Sequence, residues 1–331
     1  MSWKFACLLL LLLLATPTPP AEAAEVSPLR PVSTYSIVAR DPLTGDLGVA
    51  VQSHWFSVGA LVPWARSGVG AVATQSLVDP SYGPLGLELM AAGKSAPRTL
   101  EALLLADEHP EIRQVAMIDA QGRVAAHTGT GCIPEAGHRA GEGYSVQANL
   151  MDPSTVPDAM AEAFEGAEGE LAARLLAALD AAQADGGDIR GRQSAAILVV
   201  RAKSTGQEWN DRLVDLHVED HPQPLVELRR LYQIHLGYAR MNEGDLALER
   251  GELEAAELAY GEAEELLPGN LEARFWHAVA LVNADQLEKA LPIFAGVFAQ
   301  GDNWRRLVPR LVESGFLPED PAVVERILAA G

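Results

Sequence analysis

The first strand-like run of the chain lies within Ser33-Thr34-Tyr35-Ser36-Ile37-Val38-Ala39-Arg40-Asp41, and the rest of the predicted fold is organised around it. Its β-branched residues predict a strand over Thr34–Ala39. The turn residues 41–46 and the apolar run Leu47–Ser53 then predict a returning strand, and therefore a hairpin. A cut between Ser33 and Thr34 would also give Thr34 a free α-amine, which could act as the base for its own hydroxyl.

Length and charge restrict the classes of function. The chain has 331 residues, which indicates about two domains, and its 48% hydrophobic content is ample for packed cores. The formal net charge of -20 argues against a nucleic-acid partner, because such binders usually present a basic face. It favours a soluble, self-repelling surface.

The first 23 residues have the pattern of a signal peptide. Lys4 supplies the positive charge, Phe5–Ala15 the apolar run, and Ala21-Glu22-Ala23 a small-x-small cleavage site. The alternative is a membrane anchor, but the apolar run is short for a span. We therefore expect a periplasmic or secreted protein without a stable membrane anchor. Cys7 would leave with the leader, so Cys132 could form no internal disulfide.

Residues 24–33 form a short tail between the leader and the first strand. Pro28 and Pro31 disfavour a helix and predict an extended segment. One interpretation is a disordered mature N-terminus, which is the usual fate of such tails. The other is a short propeptide whose removal exposes Thr34.

The remaining patterns up to residue 201 alternate runs of strands with pairs of helices. This order predicts an α+β fold, specifically a four-layer αββα sandwich over residues 34–201. The further expected strands are 69–75, 111–119, 123–128, 144–150 and 193–201. Helices are expected at 86–90 before a possible C-cap at Gly93, from about Pro97 onward, and over 155–165 and 168–184.

A smaller all-α domain is expected at the C-terminal end. Residues 202–222 are polar and predict a linker, and residues 223–331 resemble tetratricopeptide repeats, with units over 237–270 and 271–304. Two units are few for a stable stack, so Leu225–Leu236 and Val308–Leu328 are expected to cap them. Their acidic face is either a solvated surface or a groove for a protein partner.

Five motifs in one order connect the first domain to a known family. They are Thr34–Pro42 (TYSIVARDP), Val69–Gln75 (VGAVATQ), Asp79–Pro84 (DPSYGP), Gly137–Leu150 (GHRAGEGYSVQANL) and Asp188–Ala196 (DIRGRQSAA). Over about residues 34–201 the chain closely resembles domain-of-unknown-function family 1028, assigned to the N-terminal-nucleophile (Ntn) hydrolase superfamily.

This resemblance implies an αββα sandwich and hydrolysis of an amide bond by Thr34. Many relatives carry this Thr directly after an initiator Met or a leader, whereas here ten residues, 24–33, precede it. Leader cleavage after Ala23 would therefore leave Thr34 blocked. A second cut, by autolysis or by another protease, would be needed for activity.

Further polar residues are candidates for binding. Thr74 and Gln75 end one predicted strand, and Gln147 and Asn149 share a face of another, so each could supply an oxyanion donor. The alternative for each is local strand-end or turn bonding. The guanidinium groups of Arg66, Arg190 and Arg192 could bind a substrate carboxylate, or be surface charges or members of structural ion pairs.

The sequence predicts no metal site and no cofactor. His54, His127 and His138 lack the spacing of a metal site. Cys132 near His127 could be a nucleophile, but a lone cysteine is more often a small buried residue.

Two functions remain open from the sequence. The first is an exported Ntn-type amidohydrolase acting on a small amide or peptide through Thr34. The second is a non-catalytic αββα binding module whose helical repeats recruit a protein partner at the cell envelope. Apolar loop residues at Trp55-Phe56 and Val62-Pro63-Trp64 also favour a homo-oligomer.

Overall fold

The structure is a computed structural model that describes residues 32–331. The expected leader and residues 24–31 of the tail lie outside the described residues. The described chain contains two antiparallel sheets with associated helices, followed by a helical C-terminal region. At this level the predicted α+β fold with a C-terminal all-α part is confirmed.

The strands and helices have the following bounds. The strands are β1 (Thr34–Arg40), β2 (Leu47–Ser53), β3 (Pro63–Arg66), β4 (Gly70–Ser76), β5 (Arg113–Asp119), β6 (Val124–Thr128), β7 (Gly137–Gly141), β8 (Tyr144–Ala148), β9 (Ser194–Val200) and β10 (Arg212–Val218). The helices are α1 (Tyr82–Ala91), α2 (Ala96–Ala106), α3 (Val156–Gly166), α4 (Leu171–Ala184), α5 (Glu208–Asp211), α6 (Pro224–Glu249), α7 (Leu253–Leu266), α8 (Leu271–Asn283), α9 (Leu287–Phe298), α10 (Asp302–Glu313) and α11 (Pro321–Leu328).

The predicted hairpin is the centre of the larger sheet. Its order is β10-β9-β2-β1-β8-β7, and the smaller sheet has the order β3-β4-β5-β6. In the hairpin Thr34 pairs with Ser53, and Tyr35 pairs with Gln52. Because side chains alternate along a strand, Tyr35 and Ile37 face the helices, while Ser36 and Val38 face the smaller sheet.

Each sheet buries one face against a pair of helices. Phe164 of α3 and Leu175 of α4 pack on Tyr35 and Ile37 of the larger sheet. On the smaller sheet, residues of α1 and α2 pack against β4 and β5; the buried set is Val72, Tyr82, Leu87, Met90, Ala96, Leu100, Val115 and Met117. The facing sides of the two sheets share an aliphatic core, which includes Val38, Val49, Ala71, Ala116 and Ile118. Burial of these apolar faces is the main stabilising term of the fold.

The expected linker over residues 202–222 is corrected by the structure. It contains β10, which pairs with β9 at the edge of the larger sheet. Val214 and Val218 are buried there, while Asp215 and His217 are exposed. Because an edge strand carries many polar residues, the composition of this segment predicted a linker although its residues alternate. Strand β7 was also not predicted, because its glycines and charged residues have low strand propensity.

The expected cap Leu225–Leu236 is also different, because it forms one continuous helix with the next segment. Leu228 and Tyr232 in the first half of α6 pack on the core of the larger sheet. Met241, in the second half, packs on the helical region. The two parts of the protein are therefore joined through a helix that belongs to both cores.

The helical region beyond this point packs in antiparallel pairs. Gly244 of α6 lies against the Tyr260 ring of α7, so a Cβ there would approach the ring to 2.8 Å. Phe275 and Phe294 join α8 to α9, with ring centroids 5.6 Å apart. No helix in residues 32–331 is both long and apolar enough to cross a membrane.

The apolar loop residues expected to favour association are only partly exposed. Val62 and Pro63 are buried, Trp55 and Trp64 are half-buried, and Phe56 is exposed. Trp64 also donates from Nε1 to the Leu61 carbonyl at 3.0 Å. Most of this surface therefore serves internal packing.

Gly70 tests how closely the smaller sheet is packed. A Cβ at this position would lie 2.5 Å from the backbone oxygen of Ile118, so β4 would have to move from β5. We expect Gly70→Ala to lower the free energy of unfolding by about 1–3 kcal/mol. Gly166→Ala is the matched control, because no atom lies within 4 Å of its Cβ position at the end of α3. Denaturant titrations in which the two variants lose equal stability would contradict this packing.

Candidate functional site

The last two residues of the tail before Thr34, Val32 and Ser33, are buried in the fold. Val32, Ser33 and Thr34 are all fully buried. Val32 forms an antiparallel bridge with Ser76 of the smaller sheet, with N–O distances of 2.6 and 3.0 Å. The expectation of a disordered tail is therefore wrong for Val32 and Ser33, because they connect the two sheets.

The Thr34 hydroxyl points toward the space between the sheets and is engaged locally. Its Oγ1 donates to the carbonyl oxygen of Val32 at 2.8 Å. With Ser33 attached, Thr34 has an amide nitrogen instead of an α-amine. The base that an N-terminal nucleophile needs is therefore not yet formed.

The Ser33 carbonyl is held by two side-chain donors. Arg190 donates from Nη2 to this oxygen at 2.9 Å, and the Ser53 hydroxyl donates to the same oxygen. Arg190 is itself fixed by Asp188, whose side chain is fully buried and lies 2.8 Å from Nη2. The carbonyl that precedes Thr34 thus has the donor arrangement that stabilises a developing oxyanion.

A buried network of carboxamides lies beside Thr34 between the sheets. Gln75 donates from Nε2 to the Thr34 carbonyl at 3.2 Å and accepts from the Ser36 hydroxyl at 2.6 Å. Gln147 donates to the Ser36 hydroxyl at 2.6 Å, and Asn149 donates to the Gln114 side chain at 2.9 Å. The alternation predicted for Gln147 and Asn149 is thereby confirmed.

These carboxamides are occupied by one another and by the backbone. The Thr34 carbonyl accepts from the Asn149 backbone at 3.1 Å in addition to Gln75. Their donors are directed at β1 and at the Gln114 side chain. In this state they position Thr34, and a role as oxyanion donors to a substrate stays a prediction.

Three predicted candidates make no hydrogen bond to Thr34 or to the Ser33 carbonyl. Thr74 donates to the Asp79 carbonyl at 3.0 Å, which is the turn bonding given as its alternative. Arg66 pairs with Glu88 at 2.7 Å and lies opposite Gly70, at the other end of β4 from Ser76. Since seven strand residues extend about 20 Å, Arg66 does not belong to this site. Arg192 is exposed and has no hydrogen bond or ion pair within residues 32–331.

Several residues of the site were missed from the sequence. Ser53 and Asp188 act on the Ser33 carbonyl, directly or through Arg190. Gln114 accepts from Gln75 at 2.6 Å and donates to Thr128 at 2.9 Å. Its signal was its position in phase with Ala116 and Ile118, which places a carboxamide on the inner face of β5.

Cys132 and the possible metal ligands are the other groups whose chemistry was considered from the sequence. Cys132 is buried, its Sγ contacts the Arg113 carbonyl at 3.4 Å, and burial raises the pKa of the thiol. A raised pKa disfavours the reactive thiolate. Among the described residues no group of three His, Cys, Asp or Glu side chains has the arrangement of a metal site.

Comparison with known proteins identifies a family but no activity. Residues 34–228 match the family described as "Family of unknown function (DUF1028)". The chain is also similar to the crystal structure of protein SPO2555 from Silicibacter pomeroyi, a DUF1028 protein. The identity is 29%, the TM-score is 0.54, and the match covers 61% of this chain and 88% of that chain. No functionally curated protein matches the chain.

Gln75 tests whether the buried network holds the site together. Gln75→Leu removes a donor to the Thr34 carbonyl, leaves the buried Ser36 hydroxyl without its acceptor, and removes one of the two donors to Gln114 Oε1. We expect a loss of about 1–3 kcal/mol in the free energy of unfolding. The control is the exposed Gln300→Leu, which should change it by less than about 0.5 kcal/mol. A Gln75→Leu chain as stable as the control would contradict the role of the network.

Proposed function

The chain belongs to the DUF1028 family of unknown function, and we propose that it is an exported Ntn-type amidohydrolase whose nucleophile is Thr34. The observation that carries the proposal is the Ser33 carbonyl, which accepts from both Arg190 and Ser53. A carbonyl held by two donors beside a threonine hydroxyl is suited to attack by that hydroxyl.

The arrangement of helices and sheets supports the proposed superfamily. Two sheets face each other, and each packs against its own pair of helices, as expected for an αββα sandwich. Thr34 begins a central strand at one end of the space between the sheets. Its side chain is therefore beside the opening that would form if residues up to Ser33 were removed.

The described chain corresponds to an inactive precursor in this proposal. Since residues 32–34 are fully buried, an external protease would need local unfolding to reach the Ser33–Thr34 bond. Self-cleavage needs no such access, because the nucleophile adjoins the bond. The burial therefore favours autolysis over a second protease.

Self-cleavage would proceed through an ester. Thr34 Oγ1 attacks the Ser33 carbonyl carbon, Arg190 and Ser53 stabilise the oxyanion, and the C–N bond breaks as the hydroxyl proton passes to the leaving nitrogen. Water then hydrolyses the Ser33–Thr34 ester. The products are a Ser33 carboxylate and a chain that begins at Thr34 with a free α-amine.

The same groups would then act on a small amide or peptide. The α-amine accepts the Thr34 hydroxyl proton, the hydroxyl forms an acyl-enzyme, and the amine proton leaves with the released amine product. Water hydrolyses the acyl-enzyme and restores Thr34. The donors on the Ser33 carbonyl would take the same place on the substrate carbonyl.

The leader and the helices complete the proposal. The signal-peptide pattern of residues 1–23 supports a periplasmic or secreted location. Helices α6 to α9 pack in pairs in which Gly244, Ala256 and Ala263 occupy buried positions, as tetratricopeptide-like units would. We assign them a role in binding a protein partner or a second copy of the chain.

One observation favours the second function, a non-catalytic binding module. Thr34 is fully buried and its hydroxyl bonds to Val32, which is how a structural strand threonine would be satisfied. The two functions differ in one property, namely whether the Ser33–Thr34 bond is ever cut.

The donors on the Ser33 carbonyl provide the test. We expect the purified full chain to cleave itself after Ser33 in a first-order reaction whose rate is independent of protein concentration. Thr34→Ser should retain cleavage and Thr34→Ala should abolish it. Arg190→Met or Ser53→Ala should slow it by about 10²–10³-fold, as loss of one oxyanion donor does. Intact-mass measurements over time give the rates.

The control is Arg98→Met, an exposed arginine on α2 without a hydrogen bond to its guanidinium among the described residues. It should cleave at the wild-type rate. Melting temperatures identify variants that are slow only because they unfold. Cleavage that persists in Thr34→Ala, or that depends on added protease, would reject the self-processing step.

A further inference from the structure

Val32 and Ser33 lie where the acyl part of a substrate would bind, if Thr34 acts as proposed above. Ser33 supplies the carbonyl that Arg190 and Ser53 hold, and Val32 supplies a backbone N–H and carbonyl that pair with Ser76. The residues that contact this segment therefore indicate what kind of acyl group the site accepts. Val32 and Ser33 thus occupy the position that the acyl part of a bound substrate would take.

The surroundings of the Ser33 side chain contain polar atoms without partners. Within residues 32–331, Ser33 Oγ, both side-chain polar atoms of Gln52, and His54 Nδ1 are buried and lack a hydrogen bond. Gln52 is fully buried. A buried carboxamide with neither its donor nor its acceptor satisfied is rare, because its desolvation is uncompensated.

These three side chains belong to the same face at the same end of the larger sheet. Gly48 of β2 lies against Leu175 of α4, so the even-numbered residues of that strand face the helices. Gln52 is directly opposite Tyr35, whose hydroxyl reaches Gln183 of α4. If the strand register continues by one residue, His54 lies opposite Ser33, and Gln52 is the diagonal neighbour of Ser33.

A glycine-rich loop over residues 186–192 covers this position. A Cβ on Gly191 would lie 3.6 Å from His54 Nδ1, and Gly186, Gly187 and Gly191 have positive φ angles. Asp188 anchors the loop by accepting from the His54 backbone at 3.2 Å. Because Gly191 has no side chain, it leaves room beside His54 Nδ1 for a longer acyl side chain, while Asp188 and Arg190 keep the loop in place.

We propose that Gln52, His54 and the 186–192 loop form a subsite for an acyl residue with a carboxamide side chain, asparagine or glutamine, in a peptide-like substrate. This inference rests on the proposed function of Thr34. A carboxamide offers a donor and an acceptor together, and so can satisfy both orphaned atoms of Gln52, which a serine hydroxyl does not reach. The pairing of Val32 with Ser76 further selects a substrate with a main chain on the N-terminal side of that residue.

The subsite can be measured without catalysis in the full chain carrying Thr34→Ala. Ser33 is replaced in turn by Asn, Gln, Glu and Leu, and the melting temperatures are compared. We expect the better of the Asn and Gln variants to melt about 2–4 °C above the Leu variant, and above the Glu variant as well. Adding Gln52→Leu should remove this advantage. A Leu or Glu variant that melts at or above both carboxamide variants, or an order unchanged by Gln52→Leu, overturns the subsite.

The second measurement uses the self-processed chain and two-residue peptides joined to an amine reporter. Peptides ending in Gln or Asn should show kcat/KM at least about 10-fold above the matching Leu peptide, a difference of about 1.4 kcal/mol. Hydrolysis with equal or greater preference for Leu overturns the subsite but leaves the Thr34 chemistry intact. Absence of hydrolysis of any peptide, with the melting order as expected, instead overturns the proposed function.

Discussion

The hydrogen bonds from Arg190 and Ser53 to the Ser33 carbonyl hold together the parts of the protein that surround Thr34. They fix the peptide bond before Thr34 at the end of the central hairpin. Asp188 holds Arg190 from the loop between α4 and β9, so the end of the larger sheet and this loop are positioned together. Val32 then crosses to Ser76 and joins the same point to the smaller sheet.

The carboxamides between the sheets give this point its rigidity. Four carboxamide residues are fully buried there: Gln75, Gln114 and Asn149 are bonded to one another, and Gln147 is bonded to the Ser36 hydroxyl of β1. Such networks specify one arrangement, because a shifted strand would leave several buried polar groups unsatisfied. The Thr34 carbonyl is thereby held in place, as the proposed nucleophile would require.

The sequence predicted the strands and helices best where a periodic pattern was strong. The β1–β2 hairpin, and the common face of Gln147 and Asn149, followed from alternation alone. The edge strand β10 was missed because its exposed residues are polar. Arg66, a candidate for binding a substrate carboxylate, instead forms an ion pair with Glu88, because residue type does not tell which end of a strand meets the site. The partners of Ser33 could not be predicted either, since Arg190 is 157 positions away and only the folded sheets bring it near.

The proposed amidohydrolase and the binding module differ in whether Thr34 carries a free α-amine, and peptide mapping can determine this. The full chain is allowed to process itself, reacted briefly with an activated acyl ester, and digested for peptide mapping by mass spectrometry. We expect a fragment that begins at Thr34 and carries one acyl group, which hydroxylamine removes as it removes an ester. A fragment in which Ser33 still precedes an unmodified Thr34 in every molecule would contradict it.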